Sequence, residues 1–168
     1  MHLTLFGRGK HEKTEKLYSE LAPALIAYAC SLGLDHSSAE DMLQSIFLHL
    51  MEGSNWPTEP RPYLFRAVRN ACFNHIRNRS RDDEVADEPW FEIELVDRAS
   101  ELDLRRSLSR LPAEQCEVVM LHIWGGLSFQ EAGTALGISP NTAASRYRYA
   151  LEALKRSLNK RPKEEEQR

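Results

Sequence analysis

The chain has 168 residues, 42% hydrophobic and 28% charged, with a formal net charge of −3. That length suits one large domain or two small ones, and the composition can fill a core, which excludes wholesale disorder. No apolar run approaches the ~18–20 residues of a membrane span, and the N-terminal MHLTLFGRGKHEK has neither the apolar stretch nor the cleavage site of a secretory signal, so a cytoplasmic location is expected.

The first helical pattern lies in residues 14–33. Leu17, Leu21, Leu25, Tyr28 and Leu32 recur at three- and four-residue spacing on one face. Pro23 falls inside it and is expected to kink or split the helix, and Gly33 is a natural stop. Cys30 belongs to this segment; with Cys72 and Cys116 it makes an odd, widely spaced set, expected as reduced thiols packed as small hydrophobes.

The segment LDHSSAEDMLQSIFLHLMEG follows. Ser37 with Glu40 fits a capping box, and Asp41 adds negative charge to the positive end of the helix dipole. Leu43, Ile46, Phe47 and Leu50 form an inner face. Met42, Leu48 and Met51 leave the helix apolar on more sides than one core needs, which fits either a central buried helix or one offering a second face to a partner.

A proline-rich loop, SNWPTEPRP, leads to YLFRAVRNACFNHIRNRSR, with Pro62 expected as the first helical residue. Phe65, Val68, Cys72 and Ile76 point inward. Arg66, Arg69, Asn70, Asn74, Arg77 and Asn78 fall largely elsewhere, a surface suited to phosphates and base edges. Cys72 and His75 stand at i, i+3, half of a metal-ligand spacing. No CxxC, HxxxH or nearby carboxylate pair supplies the other half, so packing is expected and neither metal nor cofactor.

Charge divides the chain here. Residues 61–81 hold six arginines and no acid, residues 82–103 ten acids against Arg98, and residues 104–163 ten basic groups against four acids. Two basic surfaces joined by an acidic, self-repelling connector are expected. Trp90 and Phe91 are unusual in a pure linker.

Beyond the connector, LDLRRSLSRL reads as a short helix. PAEQCEVVMLHIWGG reads as another, started by Pro112 and closed by Gly125 and Gly126. Ser128 can cap SFQEAGTALG, Gly137 permits a tight turn, and Ser139 caps PNTAASRYRYALEALKRSL. This is a helix-turn-helix pattern. Gly133 and Ala143 are small where its helices would cross closely, although Gly133 costs about 1 kcal/mol of helix propensity relative to Ala. Leu136 and Ile138 supply packing at the turn. Asn141, Thr142, Ser145, Arg146 and Arg148 are groups that can meet base edges and phosphates in a major groove. In an ordinary helical hairpin, Tyr147 and Tyr149 would be core or solvent-edge aromatics. From the residues alone, a stand-alone helix-turn-helix regulator and a helical adaptor that binds only protein also stay open.

Three motifs in order resemble the extracytoplasmic-function (ECF) group of sigma factors of bacterial RNA polymerase. SSAEDMLQSIFLHL resembles the AED-x-x-Q-x-x-F helix of region 2, and YLFRAVRNACFNHIRNRSR the W-L-x-x-I-A-R-N helix after it. Residues 108–158 resemble region 4, with L-P-x-x-x-R, G-x-S-x-x-E-I-A and L-G-x-x-x-x-T-V-x-S-R. Tyr63 stands for the frequent Trp, Gly133 for Ala, Ala143 for Val, and Ala144 where a basic residue is frequent.

The resemblance implies an all-α chain of two small helical domains on an acidic flexible linker, the C-terminal one a helix-turn-helix. Region 2 would occupy 1–81, the linker 82–100, region 4 101–160 and a charged tail 161–168. It implies core polymerase binding through the β′ clamp helices by Asp41, Gln44, Ser45 and Leu48, and −10 promoter DNA binding by Arg66, Asn70, Asn74 and Arg77. Region 4 would bind the β flap, and the −35 element through Asn141, Thr142, Ser145, Arg146 and Arg148. It implies no catalysis and no cofactor, and it admits an anti-sigma factor as a further partner.

Overall fold

The computed structural model describes residues 4–79 and 98–159, with side chains described for 9–78 and 104–158. Nearly all of the acidic connector, with Trp90 and Phe91, and the charged tail lie outside them. The described residues form seven α-helices and one π turn. They are α1 (Thr4–Ser31), α2 (His36–Glu52), α3 (Pro60–Arg79), α4 (Arg98–Ser109), α5 (Ala113–Val119) running into a π turn (Met120–Trp124), α6 (Phe129–Leu136) and α7 (Pro140–Asn159).

The break expected at Pro23 is absent, and α1 runs through it as one helix. Pro23 is exposed while Leu21, Leu25 and Tyr28 around it are buried. The carbonyl that the ring leaves unbonded can turn to water, and the inner face holds the helix together. Gly33, at φ 107°, ends α1 and lets the Leu34 amide donate back to the Ala29 carbonyl at 3.2 Å.

The capping box expected from Ser37 and Glu40 is also corrected. Asp35 is the cap: its carboxylate accepts the Ser38 amide at 2.9 Å and the Ser38 hydroxyl at 2.6 Å. The helix therefore starts at His36, and Asp41 lies beyond its first turn. Ala39, Leu43, Phe47 and Leu50 are buried, but Ile46 is only half-buried. Likewise α3 begins at Pro60, two residues before the expected Pro62. The Tyr63 amide donates to Glu59 at 3.2 Å, and both prolines fall in the first turn, where no amide is needed.

In the C-terminal half, α4 starts at Arg98, earlier than LDLRRSLSRL implied. The helix after Pro112 does not stay α-helical to Gly125. At Met120 it widens into the π turn, where the Gly125 amide donates to the Met120 carbonyl at 3.0 Å. A Cβ at Gly125 would lie 2.5 Å from the Leu121 carbonyl oxygen and 2.7 Å from the Phe65 ring, so the ring rests against this backbone only because residue 125 is glycine.

That contact belongs to a larger one. Leu21, Leu25, Tyr28, Leu64, Phe65 and Val68 of the N-terminal half share one continuous core with Val119, Met120, Leu121 and Leu127 of the C-terminal half. The two helical halves are packed on each other, α6 against α3 and the π turn against α1.

Candidate nucleic-acid interface

The helix-turn-helix forms as its residues dictate. Ser128 and Glu131 make a reciprocal capping box at α6: the Ser128 hydroxyl accepts the Glu131 amide at 3.2 Å, and the Glu131 carboxylate accepts the Ser128 amide at 2.8 Å. The Ser128 hydrogen bonds, with the nearby Arg61 guanidinium, hold the Glu131 carboxyl below its ordinary value. Gly137 closes α6 in the left-handed conformation at φ 70°. Ser139 then caps α7, its hydroxyl accepting the Thr142 amide at 3.0 Å.

Ala143, Ala150 and Leu154 bury one face of α7. At ~100° per residue, Asn141, Ser145 and Arg148 lie opposite that face. Asn141 and Arg148 are exposed and Ser145 is half-buried. The Arg148 guanidinium lies 5.2 Å from the Tyr149 ring centre. Thr142 and Arg146 occupy the flank and already have partners in the chain. The Thr142 hydroxyl shares a 2.8 Å hydrogen bond with Ser139, and Arg146 pairs with Glu114 at 2.7 Å. Tyr149 is exposed. Tyr147 is half-buried in an aromatic cluster with His122 and Phe129, and the His122 Nδ1–H donates to the Leu127 carbonyl at 2.6 Å. Sequence reasoning missed this cluster, because its members lie on three different elements.

On α3, Arg66, Asn70, Asn74 and Arg77 are all exposed and fall within about 80° of one another. Arg77 donates to the Asn74 side chain at 3.0 Å. Arg66 reaches the Thr134 carbonyl on α6. Arg69, named with this surface from the sequence but not among the residues implied for the −10 element, lies on its edge. It rests over the Phe73 ring at 4.7 Å, and its fork meets both oxygens of Glu117 on α5, at 3.1 and 3.4 Å. Glu117 is only 6% exposed. Beside this pair Tyr28 is fully buried, and its hydroxyl meets no hydrogen-bond partner among the described residues. Burial, and then the Glu117 charge, push the Tyr28 phenol far above its ordinary pKa. The preceding loop packs Trp56 against the core and leaves Ser54, Asn55, Thr58 and Glu59 exposed.

On α2, Asp41, Gln44, Ser45 and Leu48 are exposed along one side, Leu48 at 56%. Asp41 and Ser45 line a groove of about 570 Å³ between α2 and α3, with Met42, His49, Tyr63 and His75. The thiols are shielded: burial raises Cys72 to about 12 and Cys116 to about 11. Cys72 contacts the Met42 sulfur at 3.7 Å, and no cluster of three metal-binding side chains occurs among the described residues. Nor is any described helix long and apolar enough to cross a membrane.

Residues 17–82 match the family described as sigma-70 region 2, and residues 101–154 that described as sigma-70, region 4. The ECF RNA polymerase sigma factor SigL of Mycobacterium tuberculosis is 29% identical over 153 residues, 84% of this chain and 86% of that protein. The RNA polymerase sigma factor CarQ of Myxococcus xanthus is 28% identical over 163 residues, 91% of this chain and 93% of that protein. The fold resembles that of the sigma factor RpoE of Bartonella quintana, solved in complex with the anti-sigma factor NepR. The TM-score is 0.71 at 23% identity, covering 89% of this chain and 99% of that one.

Proposed function

The chain belongs to the ECF group of the sigma-70 family of RNA polymerase sigma factors, and from that premise we propose which residues meet polymerase and promoter. As a sigma factor it binds core RNA polymerase and directs it to promoter DNA to start transcription. The reading rests on one observation above all, that region 2 and region 4 follow each other in order along the chain. A regulator acting without polymerase, or an adaptor without DNA, is not favoured, since neither calls for the pair.

Region 2 spans residues 1–81 and region 4 residues 101–160, with 82–100 as the acidic linker. Asp41, Gln44, Ser45 and Leu48 dock on the β′ clamp helices; an exposed leucine beside polar groups suits a mixed protein interface. Arg66, Asn70, Asn74 and Arg77 hold the −10 element. The loop of residues 54–61, at the start of the same helix, helps select an unstacked base. Asn141, Ser145 and Arg148 approach base edges of the −35 element, with Thr142 and Arg146 toward phosphate. The amides at the start of α7 also face phosphate there. Region 4 contacts the β flap. An anti-sigma factor is a further partner, as it is of the Bartonella sigma factor. The factor works where polymerase works, in the cytoplasm. It binds no cofactor and leaves the chemistry to the polymerase.

Run-off transcription with core polymerase on a genomic fragment library tests the function as a whole. Defined start sites that require the chain are the expected result, and transcripts unchanged by its addition contradict it. For the docking face, Asp41→Arg or Gln44→Ala should weaken binding to core at unchanged helix content. Equal affinity in both variants removes that assignment.

A further inference from the structure

Tyr149 has no place in the core and no role among the residues assigned above, yet it stands in their midst. Counting ~100° per residue from Asn141, Arg148 falls at about −20°, Ser145 at about 40°, Tyr149 at about 80°, Thr142 at about 100° and Arg146 at about 140°. Tyr149 therefore lies at the seam between the side chains assigned to base edges and those assigned to phosphate. It is 51% exposed, whereas Tyr147 on the same helix is half-buried against His122 and Phe129. The helix-turn-helix closes without the Tyr149 ring.

That ring has one close companion. The Arg148 guanidinium lies 5.2 Å from its centre, within the reach of a cation–π contact. The contact holds two different surfaces side by side. One is a forked donor that suits the O6 and N7 acceptors of guanine, and the other is an apolar ring. In the sector of α7 from Arg148 round to Arg146, Tyr149 is the one aromatic group among the described residues.

A major groove offers one apolar group to such a ring, the 5-methyl of thymine. This methyl stands on the outer side of its base, toward the phosphates of its own strand. A side chain between the base-edge and phosphate sectors of the helix meets it there, and a tyrosine hydroxyl can at the same time donate to a phosphate oxygen. Resting on the assignment of α7 to the −35 element, we propose that Tyr149 is a specificity residue of that element, its ring packed on the methyl of a thymine in the base pair adjoining the one that Arg148 reads. The preferred −35 element then holds a G·C pair and an A·T pair side by side.

The test uses the full chain with core polymerase and fluorescent promoter duplexes selected from a library randomised over the −35 window, with affinity read by anisotropy. Each thymine of the selected window is replaced in turn by deoxyuridine, which removes the 5-methyl and leaves every hydrogen-bonding group in place. One replacement, beside the pair that Arg148→Ala relaxes, should weaken binding about fourfold, the effect expected of one methyl group kept from water. Tyr149→Ala should bind the thymine and deoxyuridine duplexes alike at that position, and Tyr149→Phe should keep the discrimination. A methyl effect that persists in Tyr149→Ala overturns the proposal, and so does a selected window with no A·T pair beside the Arg148 pair. If Arg148→Ala relaxes one base pair while no deoxyuridine matters, α7 still reads the −35 element and only the part given to Tyr149 falls. If neither Arg148→Ala nor any deoxyuridine changes binding, the assignment of the face falls and the proposal falls with it.

Discussion

Gly133 looks like a defect in the sequence, since glycine weakens a helix by about 1 kcal/mol relative to Ala. In the fold it is a requirement. A Cβ there would stand 2.8 Å from the Ile138 carbonyl oxygen and 3.3 Å from the Pro140 nitrogen, both backbone atoms of the turn. Overpacking of this kind typically costs ~1–3 kcal/mol, more than the helix gains. Gly133→Ala should therefore lower the melting temperature despite its better helix propensity; an unchanged or higher value would mean that the turn yields. Glu131 makes a second residue-scale prediction. Its folded pKa lies below the ordinary carboxylate value, so the unfolded chain binds its proton more readily. The capping box thus contributes fully above the unfolded pKa and is lost as pH falls through the folded one. Glu131→Gln should flatten the acid limb of stability against pH, costing stability at neutral pH and little in acid, as thermal melts at a series of pH values will show.

At the scale of the element, α7 shows how one helix divides its work. Its buried stripe of Ala143, Ala150 and Leu154 uses small residues near the turn and a large one further on. The opposite side carries Asn141, Ser145 and Arg148. Arg146 is tied to Glu114 across to α5, so in the free chain it braces the motif. To meet phosphate as proposed, it would share or exchange that partner. Arg148→Ala should relax preference at one base pair of the −35 element, at a cost of about 1–3 kcal/mol there. Arg146→Ala should lower affinity for all sequences alike and flatten the salt dependence by about one unit. Binding to a panel of single-base −35 variants separates the two. A uniform loss for Arg148→Ala, or a position-specific one for Arg146→Ala, would reverse the assignment of the faces.

At the scale of the whole molecule, two sequence regions share one hydrophobic core. Phe65 of region 2 is fully buried, close to the Tyr28 ring at 5.6 Å and facing Gly125 of region 4. A chain built this way should unfold as one unit even though its family divides it in two. Trp56 lies in the N-terminal half and Trp124 in the C-terminal half, and both are partly buried against the core. Their fluorescence, followed in single-tryptophan variants, should change at one denaturant midpoint. Phe65→Ala, a loss of about 3–5 kcal/mol by the usual cost of such a cavity, should lower that midpoint in both tryptophan signals together. A variant in which only the Trp56 signal moves, with Trp124 unaffected from the start, would show that the halves are independent.

The amino-acid sequence by itself determined the elements and the family. Helical spacing of leucines, capping serines, a glycine at the turn and segregated charge are local signals, read within a few residues of one another. They gave the seven helices their order, marked the helix-turn-helix, and put the arginines of α3 and α7 on polar faces. Where local reading failed, a distant contact had outweighed a local preference. Pro23 stays within one helix because its neighbours pack inward, and the helix after Pro112 widens at Met120 where Gly125 meets Phe65. Only the tertiary structure decided that Arg69 is held by Glu117, 48 residues away, and that region 4 rests on the helix of region 2 that is assigned to DNA. Side-chain pairing across such a separation leaves no periodicity in the sequence. It depends on how two separately amphipathic halves bring their apolar faces together, and that is a property of the packed chain.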